Sequence, residues 1–302
     1  MPNDVQYPDW IAVDWGTSNL RCWAMDAEGA VLAENASDEG MSNVAPNDFE
    51  TTLLSHIAPW LGGPQTPVVA CGMVGARQGW AEAPYSAVPC APVGRVINVP
   101  CKDSRITMHI LPGLKQMKSA DVMRGEETQI AGFLSMRPDY DGILCLPGTH
   151  TKWAHISAGE VVSFQTFMTG ELFDMLSHVS VLRHSVEDSA GIDLESFAIA
   201  IDETVSRPEA IARQLFKIRA ADLLHGVGPS VSRGRLSGLL LGMELAAAKP
   251  YWLGQPVMLI GAPGLNTLYA NALGAQGLEA PQYSADEMTL RGLARAYQEM
   301  TT

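Results

Sequence analysis

The sequence predicts an α/β protein of two related domains, and three observations carry that reading. The chain has 302 residues, more than the roughly 100–200 that one hydrophobic core organises. An apolar run, a polar turn and a second apolar run occur within residues 10–25, and the same order returns within residues 143–156. Two further apolar runs, residues 67–71 and 256–260, end in Gly-rich stretches, which is where open α/β sheets place ligands.

Composition narrows the function classes. With 47% hydrophobic and 18% charged residues the chain is globular. Its formal charge of -13 argues against nucleic acid or an anionic membrane as the main partner, because phosphate binding on that scale needs a basic surface. A small anionic ligand remains compatible, held by a few local cations and backbone amides. Residues 1–9 contain no basic segment and no apolar core, so no signal peptide is expected. The best apolar stretch, residues 236–248, is interrupted by Ser237 and Glu244 and falls short of the ~20 residues of a membrane span. Five scattered cysteines without a C-x-x-C pair predict reduced, mostly buried thiols of a cytoplasmic protein rather than a zinc site.

The first hairpin centres on Asp14-Trp15-Gly16-Thr17-Ser18-Asn19-Leu20-Arg21. Gly16 lets backbone approach a ligand closely, and the amides and side chains of Thr17, Ser18 and Asn19 can point at phosphate oxygens. Asp14, at the end of a buried strand, needs a cation or a donor to offset its desolvation. An ordinary hairpin with a polar turn satisfies the same pattern. Next, Asn47 and Asp48 can start a helix over residues 48–60, with Phe49, Leu53, Leu54 and Ile57 near helical spacing. After the strand at residues 67–71 comes a Gly-rich loop carrying Met73, Arg77, Gln78 and Trp80. Arg forks onto carboxylates and Trp covers a sugar face, although a surface loop holds such residues too.

Short β-prone pieces fill residues 81–112, followed by Arg124-Gly125-Glu126-Glu127 at the start of a helix. Either glutamate serves as a general base, or both simply favour the helix N-terminus. The hairpin pattern then returns: placing Gly16 on Gly148 puts Thr17 on Thr149, Ser18 on His150, Asn19 on Thr151 and Asp14 on Leu146. The copies share backbone requirements and differ in charge, suggesting two domains that each bring a hairpin to one phosphate chain. His150 and His155 are too few for a metal site and read as strand-face residues. Helices are expected from Met168-Thr169-Gly170-Glu171 onward and over residues 207–224, 235–249, 267–273 and 285–298. Gly261, Gly264 and Asn266 line a strand-to-helix turn that suits an adenine or ribose, or is a plain βα connection. No G-x-x-x-x-G-K-[ST], H-R-D, G-x-S-x-G or H-E-x-x-H motif occurs.

Taken in order, these stretches resemble the sugar-kinase branch of the actin, Hsp70 and hexokinase superfamily. Residues 14–21 are similar to its first phosphate motif, residues 146–152 to the second and residues 261–266 to its adenosine motif. Gly125-Glu126-Glu127-x-Gln129 resembles the Gly-Asp-x-Gln segment that carries the base in carbohydrate kinases, with Glu for Asp and a shorter spacing to Gly132. Adding Gly72-Met73-Val74-Gly75, Pro147-Gly148-Thr149-His150-x-Lys152-Trp153 and Met168-Thr169-Gly170-Glu171, the ordered set resembles the 2-dehydro-3-deoxygalactonokinase family from the first strand to the last helix.

That resemblance implies a two-domain actin-like ATPase (ribonuclease H-like) fold, with mixed sheets flanked by helices and ATP in the interdomain cleft. It implies an N-terminal domain over residues 1–118, with the first hairpin and substrate loops. Residues 119–302 would form a C-terminal domain holding the glutamates, the second hairpin and the adenosine loop. The implied reaction is ATP-dependent phosphorylation of 2-dehydro-3-deoxy-D-galactonate to its 6-phosphate in galactonate catabolism, with Mg²⁺, in the cytoplasm; a homodimer is a possible assembly. Phosphates fall to Gly16, Thr17, Ser18, Asn19, Gly148, Thr149, Thr151 and Lys152, and adenosine to Gly261, Gly264 and Asn266. The sugar acid falls to Met73, Arg77, Gln78, Trp80 and Arg124, the metal to Asp14, and the base to Glu126 or Glu127, with Glu126 directly after Gly125. Two alternatives stay open: a kinase of the same fold for another sugar or sugar acid, and a nucleotide-binding sensor or chaperone-like ATPase. The compact length, with no peptide-binding or DNA-binding extension, speaks against the second.

Overall fold

A computed structural model describes residues 7–63, 65–187 and 191–301. The first part of the chain forms β1 (Trp10–Trp15), β2 (Leu20–Met25), β3 (Val31–Ser37), α1 (Phe49–Ile57), β4 (Thr66–Gly72), β5 (Tyr85–Ala87), β6 (Ile97–Val99), β7 (Ile106–Ile110), β8 (Gly113–Gln116), β9 (Asp121–Met123) and α2 (Glu126–Met136). Its main sheet has the order β3-β2-β1-β4-β7-β6, and a small sheet has the order β5-β8-β9. β1 runs antiparallel to β2 and parallel to β4, so the sheet is mixed.

The second part forms β10 (Gly142–Leu146), β11 (Thr151–Ser157), β12 (Glu160–Phe167), α3 (Thr169–His178), α4 (Leu194–Ser206), α5 (Ile211–His225), α6 (Pro229–Ala247), α7 (Lys249–Trp252), β13 (Val257–Gly261), α8 (Pro263–Ala275) and β14 (Gln282–Ser284). Its sheet order is β12-β11-β10-β13-β14. As around β1, the central strand β10 pairs antiparallel with the next strand and parallel with a later one, β13. Both larger sheets are mixed and flanked by helices, as the resemblance implies. The chain closes with α9 (Ala285–Thr301).

Two compact units result. The first runs to Tyr140 and takes back Ser157–Ser163 and the segment from Ala285; the second holds Asp141–Ile156 and Phe164–Ser284. The division therefore falls near residue 140 and not at 118/119, so α2 and its glutamates belong to the first unit. The physical reason is the return of α9. Strand alternation sends Ile11, Val13 and Trp15 toward Phe49, Leu53 and Ile57 of α1, and Trp10 and Ala12 toward Leu293 and Ala296 of α9. Trp10 also stacks on Tyr297, ring centroids 4.6 Å apart.

α9 also packs closely on α2. A Cβ on Gly292 would stand 2.0 Å from the Thr128 carbonyl oxygen, and one on Gly132 would stand 1.9 Å from the Met288 carbonyl oxygen. Neither backbone can yield without separating the helices. Gly292→Ala is accordingly expected to destabilise the protein by about 2–3 kcal/mol, lowering the melting temperature by about 5–10 °C. An unchanged calorimetric melt would refute that packing.

The strands β3, β12 and β14 and the helix α4 were not expected. β3 is an edge strand exposed along most of its length, so it has no buried face to imprint an alternation. α4 begins at Asp193, whose carboxylate takes the Ser196 N–H at 2.8 Å. Its buried stripe mixes Ser196, Ala200 and Thr204 with Phe197 and Ile201, because Gly234, Gly238 and Gly242 of α6 let the two helices meet backbone to side chain. A seam of small and polar residues does not read as an amphipathic helix. Helix α6 starts at Pro229, six residues before its expected start.

Candidate active site

In the first unit, Asp14 and Cys71 are register neighbours on the parallel strands β1 and β4, with the Cys71 thiol 3.8 Å from Asp14 Oδ1. Asp14 Oδ2 is 2.5 Å from Arg21 Nη2 across the hairpin, and Arg21 Nη1 bonds Asp286 in the first turn of α9. Burial pushes the Cys71 thiol up, and the charges of Asp14 and Glu127 push it further. Asp14 therefore lies at the end of β4, beside the Cys71 thiol.

The hairpin loop is held from behind. Gly16 N–H donates to Asn19 O at 2.9 Å, while Met41 and Ser42 donate to the carbonyls of Gly16 and Thr17 at 2.9 Å. Buried Gly40 lies under the Ser18–Asn19 backbone, leaving 2.3 Å from a would-be Cβ to the Ser18 carbonyl carbon. With its carbonyls engaged, the loop turns exposed Thr17, Ser18 and Asn19 outward, and the N–H groups of Thr17 and Ser18 have no protein partner among the described residues.

Two glycines join β4 to α2. Gly72 has φ 88° and Gly125 φ 105°, a region costly for side-chain-bearing residues. A Cβ on Gly125 would stand 3.6 Å from the Gly72 Cα, and one on Gly72 would stand 3.4 Å from Asp14 Oδ1. The start of α2 is thereby seated beside Asp14. Glu127 is 1% exposed; both its oxygens accept the Gly125 N–H, at 2.9 and 2.7 Å, and Thr128 Oγ1 lies 3.2 Å away. Burial pushes its carboxyl up to about 8, reinforced by the Glu126 charge and opposed by the Gly125 hydrogen bonds. Glu126 is only half-buried, with Oε2 accepting the Arg124 N–H at 3.1 Å.

The expected substrate residues separate into two groups. Arg124 lies over the Tyr85 ring, its guanidinium carbon 4.3 Å from the centroid, and donates from Nη2 to Ala83 O at 2.7 Å. Its Nη1 is buried without a partner among the described residues, in space left by Gly75, where a Cβ would come within 2.7 Å. Met73 is partly buried in the turn after β4. Arg77 and Gln78, by contrast, are exposed, and Arg77 reaches Glu82 at 3.7 Å. Trp80 packs edge-on against Trp15, centroids 6.5 Å apart, so the core takes up its ring. Tyr85 was missed, having no sequence signal beyond its place in a short strand.

In the second unit the hairpin recurs with a slip. Asp14 pairs with Arg21, but Leu146 pairs with Lys152, leaving one residue fewer between the partners. Lys152, not Trp153, thus stands where Arg21 does. Thr149 and His150 are exposed, whereas Thr151 and Lys152 are buried. Lys152 Nζ donates to His150 O at 2.9 Å, so at least one of its protons braces the loop itself. His150 Nε2 lies 2.5 Å from Glu171 Oε2, and Glu171 N–H donates to Thr149 O at 3.0 Å. A hairpin carbonyl thereby satisfies one of the free N–H groups at the start of α3.

Behind the hairpin, Glu244 of α6 is 1% exposed, and burial pushes its carboxyl up to about 7 against the pull of hydrogen bonds from Thr169, Trp153 and Tyr269. Of the expected adenosine residues, only Gly264 is at the surface. Asn266 is buried and donates to Gly261 O at 3.2 Å and Tyr283 O at 3.0 Å, closing the end of β13 onto β14; Gly261 is buried against it.

Among the described residues no group of three His, Cys, Asp or Glu side chains is placed to hold a metal ion, and no helix is long and apolar enough to cross a membrane. A lone carboxylate such as Asp14 suits Mg²⁺, which keeps several waters and binds phosphate oxygens, better than it suits zinc.

A profile of the 2-keto-3-deoxy-galactonokinase family matches residues 14–296. A protein of Rhizobium meliloti (strain 1021) named as a probable 2-dehydro-3-deoxygalactonokinase is 42% identical over 295 residues, covering 95% of this chain and 96% of that protein. The 2-dehydro-3-deoxygalactonokinase of Escherichia coli (strain K12) is 31% identical over 298 residues, covering 95% and 98%. The crystal structure of a Sinorhizobium meliloti protein carrying the same name provisionally superposes with a TM-score of 0.90 at 41% identity, over 96% of this chain and 99% of that one. With a family profile spanning all but the ends and both relatives matched along nearly their full lengths, the chain belongs to the 2-keto-3-deoxy-galactonokinase family.

Proposed function

We propose that this chain transfers the terminal phosphoryl group of ATP to the C6 hydroxyl of 2-dehydro-3-deoxy-D-galactonate. The observation that carries the reading is the seating of Glu126 and Glu127 beside Asp14 through the Gly72–Gly125 contact. That contact sets a candidate base next to a carboxylate suited to the metal side of a nucleotide. Phosphoryl transfer asks the protein mainly for positioning and charge neutralisation.

The free N–H groups of Thr17 and Ser18 and their hydroxyls are assigned to phosphate oxygens, with Gly16 and Asn19 shaping the same turn, as are Gly148 and Thr149 at the second hairpin. Thr151 and Lys152, being buried, support that loop from within. Asp14 is the residue that would hold Mg²⁺, which when bound neutralises phosphate charge. Glu126 takes the proton of the attacking hydroxyl, because its carboxylate is accessible and that of Glu127 is sealed. Arg124, fixed over Tyr85, is assigned to the substrate carboxylate, with Met73 beside the same turn; the exposure of Arg77 and Gln78 makes them outer contacts at most. Gly264 is the residue of its turn open to an adenosine. A cytoplasmic setting is supported by the five unbridged cysteines.

The test is a coupled ADP-release assay over a series of 2-keto-3-deoxy sugar acids. The expected result is ADP release that depends on the sugar acid, with the highest kcat/KM for the D-galactonate derivative. Equal ADP release without any acid would replace the reading by an ATPase. A higher kcat/KM on another acid would replace the substrate.

A further inference from the structure

Glu244 interrupts an otherwise uncharged stretch of α6, residues 236–247, and its side chain lies inside the second unit. Donors from three other elements meet on it. Trp153 Nε1 of β11 donates to Oε1 at 2.8 Å, the Tyr269 hydroxyl of α8 donates to Oε2 at 2.9 Å, and the Thr169 hydroxyl at the first residue of α3 donates to Oε2. Tyr269 is in turn 2.8 Å from Thr151 Oγ1, and Thr151 Oγ1 lies 3.4 Å from the Gly148 N–H.

The carboxylate gives this chain a direction. Burial pushes this carboxyl up to about 7; above that pH it is ionised and only accepts. Tyr269 therefore donates to it and accepts from Thr151, whose oxygen is left free to accept the Gly148 N–H. On the other flank, Thr169 anchors the helix whose Glu171 N–H holds Thr149 O at 3.0 Å and whose Gly170 abuts the loop, with 2.5 Å from a would-be Cβ to Gly148 O. Both sides of the loop at residues 148–151 thus trace to one side chain. A buried carboxylate is a poor stabiliser even when it is fully paired, but it fixes geometry.

We infer that Glu244 is the positioning residue of the second hairpin, holding residues 148–151 and the first turn of α3 in the one arrangement that receives the nucleotide phosphates. The inference rests on the reading of this hairpin as a phosphate loop. Glu244→Gln tests it with almost no change of shape. The Trp153 indole can only donate, so the amide oxygen must face it and the amide N–H₂ must face Thr169 and Tyr269. Tyr269 then accepts at that end, its proton turns to Thr151, and the Thr151 proton turns from Tyr269 toward Gly148 O, 3.5 Å away, so that the loop meets the reversed pattern of donors and acceptors.

The expected result is a rise of about tenfold in both the calorimetric Kd for ADP and the KM for ATP, with the KM for the sugar acid within about twofold. Tyr269→Phe cuts only the link from Glu244 to Thr151; a smaller rise in the same two quantities is expected, and this variant decides the matter where the Gln variant does not fold. A wild-type Kd for ADP in a folded variant overturns the inference. So does an equal rise in the KM of both substrates, which is the mark of a general loosening. If the wild-type protein binds ADP but no sugar acid accelerates ADP release, the proposed activity fails, while the ADP affinities still decide the role of Glu244.

Discussion

Glu126→Gln is expected to lower turnover by about 10²–10⁴ at saturating ATP and sugar acid, with ADP binding unchanged. Glu126 is half-buried in the first turn of α2, so a substrate hydroxyl can reach it. Glu127 cannot act in the same way. It is 1% exposed, and with its carboxyl pushed up to about 8 it carries a proton through the neutral range, when a base must be empty. Glu127→Gln is therefore expected to cost less turnover and to change the pH dependence of stability instead. Its folded-state value lies above the ordinary 4.5, so its contribution is complete below about 4.5 and is lost as the pH rises through about 8. Denaturant melts of the wild type should weaken across that window, and those of the Gln variant should weaken less. Loss of turnover in Glu127→Gln beside near-normal Glu126→Gln would reverse the assignment.

Asp14→Asn is expected to raise the Mg²⁺ concentration for half-maximal rate by about 10–100-fold. The amide keeps the shape of the side chain and can still accept from Arg21, so the fold of the hairpin should survive, while the negative charge that attracts the cation is gone. Arg21 keeps its second partner, Asp286, which limits the disturbance to the site. The second hairpin cannot compensate, since Leu146 occupies the equivalent strand position. A Mg²⁺ titration that superimposes on the wild type would remove Asp14 from the metal side of the site.

Much of this was legible in the residues. The apolar-polar-apolar order around Gly16 and Gly148 marked two hairpins, and both are present as β1–β2 and β10–β11. The one-residue slip that puts Lys152 in the place of Arg21 was not legible, because an ungapped alignment of two short loops cannot see a pairing register. Glu126 and Glu127 looked alike as neighbours at a helix start. Successive residues on a helix point about 100° apart, and only the tertiary packing of α2 decides which of the two is turned inward. Asn266 read as a ligand residue because its turn is Gly-rich, yet the edge of β14 claims its amide. Glu244 carried a visible sign, one charge in an apolar stretch. Its meaning waited on Trp153, Thr169 and Tyr269, which lie between 25 and 91 residues away.

The sequence by itself determined the local features of this protein: its strands and turns, the glycines that allow close backbone approach, the acid on one hairpin and its absence from the other, and the family. Those depend on nearest neighbours along the chain. The tertiary structure alone decided which carboxylate is sealed, which loop residues face outward, where the units divide and which buried side chain braces the second hairpin. Each of these depends on which surfaces are removed from water, and α9 returning to β1, or α6 meeting β11 and α8, removes surface between residues far apart in the chain.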